Sequence, residues 1–190
     1  AYVTWGAVAG PDLATNPTAG VVYVLLWIGI VPLSLLFGPI WRLVNPLRTL
    51  HLLLCRAIRL DPTVGIRTLP AGVGLWPAAA GLAAFTWLEL VAPDRATLPV
   101  IRAWFAVFVA VMVLGAVVFG SRWFDHADPF EAYSSLVARL SWLGRRSDGR
   151  LVARNPLENL DGTPVRPGLT ATVAVLLGST MFDSASASPW

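Results

Sequence analysis

Lysine is absent from this chain, and all 14 basic residues are arginine. Coding bias is the simplest account of that, with phosphate-facing guanidinium forks as the alternative. One cysteine among 190 residues excludes an intrachain disulfide and any cysteine-rich metal site. Cys55 sits in Leu52-Leu53-Leu54-Cys55-Arg56 and reads as a small buried hydrophobe rather than a nucleophile. Charge is scarce as well. Charged residues make up 13% of the chain, against about 25% in soluble proteins.

What is present is apolar. Hydrophobic residues reach 56% and the mean hydropathy is +0.65. The nine tryptophans suit a protein with two membrane–water interfaces. Four segments are expected to span a bilayer, at about 20–38, 72–91, 103–120 and 168–187. The first three are nearly uncharged and close to the roughly 20 residues a spanning helix needs. Pro32 should kink the first, which neighbouring helices tolerate. The fold class expected is all-α: a polytopic membrane helical bundle, treated as one domain over 1–190.

The arginines fall mainly in two connections. Arg42, Arg48, Arg56, Arg59 and Arg67 follow the first span, and Arg122, Arg139, Arg145, Arg146, Arg150, Arg154 and Arg166 follow the third. The excess of arginine places these connections in the cytoplasm and the N-terminal stretch outside, in a plasma (inner) membrane. The net charge of +3 therefore reads as topology and not as nucleic-acid binding. The expected partners are the lipid bilayer and further helices, from the same protein or a membrane complex.

Two connections carry helical patterns of their own. Polar residues recur at near-helical spacing over about 40–60, predicting an interfacial helix bent or restarted at Asn45-Pro46. Asp128-Pro129-Phe130-Glu131 has N-cap, N1 and N3 chemistry in register and predicts a second interfacial helix over about 129–143. Asn155-Pro156-Leu157-Glu158 repeats that logic, and Gly144–Gly149 reads as a polar turn.

The last span carries the residue most costly to bury. Asp183 lies about 22 Å along a helix counted from Gly168, in the outer part of a core about 30 Å thick; an ionised carboxylate costs roughly 2.5–3.5 kcal/mol at mid-bilayer. Thr172, Ser179, Asp183 and Ser186 share one helix face, with Ser184 on the neighbouring stripe. Three readings stay open: small polar residues allowing close helix packing, a pocket for a proton, cation or polar substrate, or a carboxylate solvated beyond the span's end. Glu89 is expected near the same outer side and is a candidate member of that pocket.

Catalytic signals are weak. Ser179 and Ser184 need a base within reach to act as nucleophiles, whereas His51 and His126 belong to the opposite side. Asp125, His126 and Asp128 make a weak metal-ligand candidate, and Asp128 is already used as a helix cap. No cofactor is predicted.

Several blocks together resemble a known group. Val31–Gly38 with Trp41-Arg42 and Asn45-Pro46-Leu47-Arg48 is one. Trp76–Gly81 with Trp87–Val91 and Pro93-Asp94 is another. Phe130–Tyr133 with Ser135–Ser141, then Gly178–Ser184 with Ser188–Trp190, complete the set. In this order they resemble mainly actinobacterial multi-pass membrane proteins labelled fenitrothion-hydrolase-like. The resemblance implies the central part of a larger polytopic protein, consistent with a chain that begins at Ala1 and ends at Trp190. It also implies an ester-hydrolase alternative, a membrane-bound enzyme acting on phosphotriesters or related esters. The leading expectation from the residues is a transporter-like unit or complex subunit with a polar pocket around Asp183.

Overall fold

The computed structural model describes residues 2–13, 15–145 and 150–186. Residues 146–149 of the expected Gly144–Gly149 turn and the family-like block at 188–190 therefore lie outside the described residues, as does the last residue of the expected fourth span; Gly144 and Arg145 are in a strand. The described chain is overwhelmingly helical, with one two-stranded sheet.

After α1 (Tyr2–Ala9), a continuous helical run begins with α2 (Thr18–Gly20), passes through π-helical turns over Val21–Ile28, and ends in α3 (Ile30–Phe37). Proline explains the mixed geometry. Pro32 has no N–H to give to the preceding turn and its ring crowds that turn's carbonyl. The chain relaxes through wider turns, as where Gly29 N donates to Val24 O at 3.0 Å. Next come α4 (Ile40–Val44) and α5 (Pro46–Ala57), split at Asn45.

A short connection joins α6 (Trp76–Leu90) to α7 (Leu98–Phe119), and α7 turns at Gly120 into α8 (Arg122–Ala127). Gly120 has φ of +69°, a left-handed conformation that glycine adopts without steric cost. α9 (Pro129–Val137) follows directly. The short strands β1 (Leu143–Arg145) and β2 (Leu151–Ala153) pair antiparallel with Gly144 opposite Val152, and α10 (Pro156–Asp161) leads to α11 (Leu169–Ser186). α11 runs parallel to α6. Leu75 N donates to Pro167 O at 2.6 Å where both helices start, and a Cβ on Gly168 would strike the backbone of Leu75 and Trp76.

Three helical stretches among the described residues are long and apolar enough to cross a membrane: Thr18–Phe37, Ala71–Leu90 and Leu98–Phe119. The count is three, not the four expected. α11 has the length, but Thr170, Thr172, Ser179, Thr180, Asp183, Ser184 and Ser186 dilute its hydropathy. The first and third stretches bury only 17% of their most apolar window inside the protein. Leu25, Ile28, Phe37, Val107, Leu114 and Val117 stand exposed along them. Contiguous apolar faces of this kind are rare on soluble monomers and suit lipid or further helices.

The core is aromatic. Phe85 and Phe130, both fully buried, meet edge-on at 5.2 Å between centroids, and Trp27, Trp104 and Phe108 close around them. Tryptophan is thus split between two tasks. Trp5, Trp76, Trp87 and Trp142 are exposed, whereas Trp27, Trp41 and Trp104 pack inside.

α8 folds back along the end of α7, with Phe124 and Ala127 against Ala116 and Met112. α9 then enters the aromatic core through Phe130. The two form a helical hairpin with Asp128-Pro129 at its buried tip. Packing inside the bundle, and not an exposed apolar face, is what orders the segment after residue 128.

The α7–α8 contact allows no side chain at position 115. A Cβ on Gly115 would overlap the Trp123 indole, whose Nε1 donates to Val111 O at 3.1 Å. Gly115→Val should cost about 1–3 kcal/mol through overpacking. It should lower the thermal midpoint in detergent and shift Trp123 emission; an unchanged midpoint would contradict this packing.

Candidate functional site

Two helix starts meet head to head. Asn45 caps α5, its Oδ1 accepting from Leu47 N at 3.0 Å and Arg48 N at 3.1 Å. Asp128 caps α9, its Oδ1 accepting from Phe130 N at 2.9 Å and Glu131 N at 3.1 Å. Side-chain oxygens here satisfy amide donors that have no partner within the helix. The caps then bond each other: Asn45 Nδ2 donates to Asp128 Oδ2 at 2.7 Å, and Trp41 Nε1 donates to the same oxygen at 3.2 Å. Both caps are 1% exposed. Burial pushes the Asp128 carboxyl above its ordinary range, and the four donated hydrogen bonds oppose that rise.

Three residues beyond each cap stands a charge of opposite sign. Arg48 Nη2 donates to Glu131 Oε1 and Oε2 at 2.9 and 3.0 Å and to Asp125 Oδ1 at 2.9 Å. The Arg48 and Glu131 side chains are 14% and 5% exposed. The guanidinium lies 5.2 Å from the Phe124 ring centroid, and its Nε is buried without a partner among the described residues. Arg42 adds a half-exposed cation, 3.1 Å from Asp125 and 3.7 Å from Glu131. Burial raises the Glu131 carboxyl to about 7, with Arg48 pulling it down. One level further along α9, the Ser34 and Ser134 hydroxyls meet at 2.8 Å and Ser134 Oγ accepts from Trp41 N.

This ionic set opens onto a cleft of about 1240 Å³, to which Asp125, Glu131 and Arg42 all contribute. Arg122, Arg139, Arg154 and Arg166 line it too. Arginines from both long connections therefore gather at one end of the helices. Arg95 and Arg102 lie at the other end, where Arg102 donates to Ala7 O and Gly10 O and Asp12 Oδ1 accepts from Leu98 N at 3.0 Å.

The residues singled out in the sequence fall elsewhere or disperse. On α11, Thr172 is buried, Ser179 is half-buried, and Asp183, Ser184 and Ser186 are exposed. Their hydroxyls bond within the helix: Thr172 to Gly168 O, Ser179 to Leu176 O, Ser184 to Thr180 O and Ser186 to Asp183 O. None of them lines the arginine cleft. Glu89 is half-buried on the parallel helix, and its carboxylate lies close enough to that of Asp183 for the two to repel.

Asp125, His126 and Asp128 turn to different partners. Asp125 takes Arg48 and Arg42, Asp128 takes Asn45 and Trp41, and His126 Nδ1 donates to Gly74 O at 2.7 Å. No group of three or more potential metal ligands occurs among the described residues. His51 Nε2 donates to Pro62 O at 3.2 Å. Cys55 Sγ lies 3.7 and 3.9 Å from its two ring nitrogens, a packing contact over the ring.

No family model, no curated protein and no solved structure matches the chain. The likeness to fenitrothion-hydrolase-like proteins therefore stands on its residue blocks alone.

Removing Arg48 would leave the buried Glu131 carboxylate without its closest cation. Arg48→Met should cost about 3–5 kcal/mol of stability, and adding Glu131→Gln should recover part of the loss in chemical denaturation. Additive losses would contradict the pairing. A carboxyl raised from 4.5 to about 7 in the folded state keeps a proton that the unfolded chain has released. Its contribution is full below the lower value and is lost as pH rises through the upper one. The wild-type thermal midpoint should thus fall more than that of Glu131→Gln between pH 5 and pH 8; an equal or opposite slope would refute the assignment.

Proposed function

We propose that this chain is a membrane-embedded, proton-linked transport unit, alone or within a larger membrane complex, whose polar centre is the Arg48–Asp125–Glu131 set. The observation that carries this reading is the position of that set. It is buried at the end of three apolar helices and communicates with an open cleft through two of its own carboxylates. Ionisable groups inside membrane proteins are costly and mark ion or substrate paths. Glu131, held near neutrality, can exchange a proton with the cleft while Arg48 stabilises its charged form.

The gathering of arginines at the cleft supports a cytoplasmic location for that end, with the N-terminal stretch outside in the plasma (inner) membrane. Glu89 and Asp183 then form a second carboxylate pair toward the outer end of α6 and α11. In this reading the pocket around Asp183 is the outer station and Glu131 the inner one. The ester-hydrolase alternative has less behind it, because no serine or cysteine among the described residues is paired with a histidine base in catalytic geometry.

The test is proton flux into vesicles of neutral lipid that carry the full chain and an internal pH dye, driven by an imposed potential. Wild type should exceed empty vesicles, Glu131→Gln should lose at least about tenfold, and Asp183→Asn should be slowed. Flux equal to empty vesicles, or unaltered by Glu131→Gln, would remove the proposal.

A further inference from the structure

Resting on the membrane reading above, we infer that the arginine cleft binds the phosphate headgroup of an anionic lipid drawn from the inner leaflet. Among the described residues its lining carries five arginines and two carboxylates, a formal excess of three positive charges. The carboxylates are already engaged by Arg48 and Arg42. The Arg122 and Arg166 side chains make no hydrogen bond or ion pair with any described residue, so they keep full capacity for an outside anion. Arg139 spends one donor on Gly162 O at 3.3 Å, leaving the rest of its fork. The Arg154 side chain is laid across Gly144, where a Cβ would displace it. Guanidinium forks match phosphate oxygens in pairs, and several lining one cleft suit a dianionic or monoanionic phosphate ester.

The rest of the wall says what the phosphate is attached to. Leu36, Leu136, Leu143 and Leu169 line the same cleft. Phe37 and Leu43, 64% and 74% exposed, stand where it meets the foot of the first apolar stretch. A soluble phosphate has no use for this apolar exit. A lipid does: its headgroup meets the arginines while its chains leave past Phe37 and Leu43 into the bilayer. Basic pockets at the cytoplasmic ends of membrane helices bind anionic headgroups on the same electrostatic grounds.

Full-length protein in phosphatidylcholine nanodiscs is titrated with dioctanoyl phosphatidic acid, with dioctanoylglycerol and with inorganic phosphate, and binding is followed by calorimetry. Phosphatidic acid should bind saturably, dioctanoylglycerol should not, and inorganic phosphate should bind far more weakly. Arg122→Gln/Arg166→Gln should weaken phosphatidic acid at least about tenfold, and Arg122→Lys/Arg166→Lys should weaken it less because charge remains without the fork. Unaltered binding in both variants, or equal binding of dioctanoylglycerol, overturns the inference. Inorganic phosphate binding as tightly as phosphatidic acid also overturns it, making the ligand a soluble anion. Proton flux without lipid binding removes this inference and leaves the transport reading standing; lipid binding without flux does the reverse.

Discussion

The bond between Asn45 and Asp128 joins the beginnings of two helices that are 83 residues apart in the chain. Each side chain satisfies the loose amides of its own helix with one oxygen, and the Asn45 amide group meets the other oxygen of the Asp128 carboxylate. The rest of this end of the helices depends on that double use. With the caps fixed, the third residue of each helix is placed opposite its counterpart, and Arg48 faces Glu131. Phe130, immediately after the tip, is delivered into the aromatic core, so the α8–α9 hairpin is held by polar contacts at its tip and apolar contacts beside it.

The chain has little charge, and it concentrates what it has. Two acids and two arginines from four helices are gathered into one network, and further arginines line the same cleft. The carboxylates of the network are paired with Arg48 and Arg42, and the cleft lining as a whole has cations in excess. That contrast links the two functional readings: a near-neutral carboxyl at the base of the cleft, and an anion-attracting rim where the cleft opens toward lipid.

Much of the helical architecture was legible because the long helices are uninterrupted apolar runs and because proline after asparagine or aspartate marks a helix start so clearly. Three of the four expected spans are long and apolar enough in the structure. The fourth segment is a helix whose polar residues hold its hydropathy down. The site was less legible. Asp183 drew attention as a charge in an apolar stretch, but its own helix satisfies the neighbouring hydroxyls locally. Asp128 was recognised as a cap, yet a cap signal does not say whether the side chain also has an outside partner. The signal that could have found the network is a repeated frame, Asn45-Pro46-Leu47-Arg48 and Asp128-Pro129-Phe130-Glu131, two caps each followed at the same interval by opposite charges. The capping box at Asp128 marked the start of α9, and a cap signature does not say whether lipid headgroups or another protein face cover the helix.

The most direct test is amide hydrogen exchange of the full chain in a lipid environment, followed residue by residue over 44–50 and 122–137. Interlocked caps predict slow exchange at Leu47, Arg48, Phe130 and Glu131, comparable to the interior of α6, since these amides are bonded to buried side chains. Fast exchange across 122–137, with α6 and α7 still protected, would mean that the hairpin lies loose on a surface and that the network at the inner end does not hold the fold.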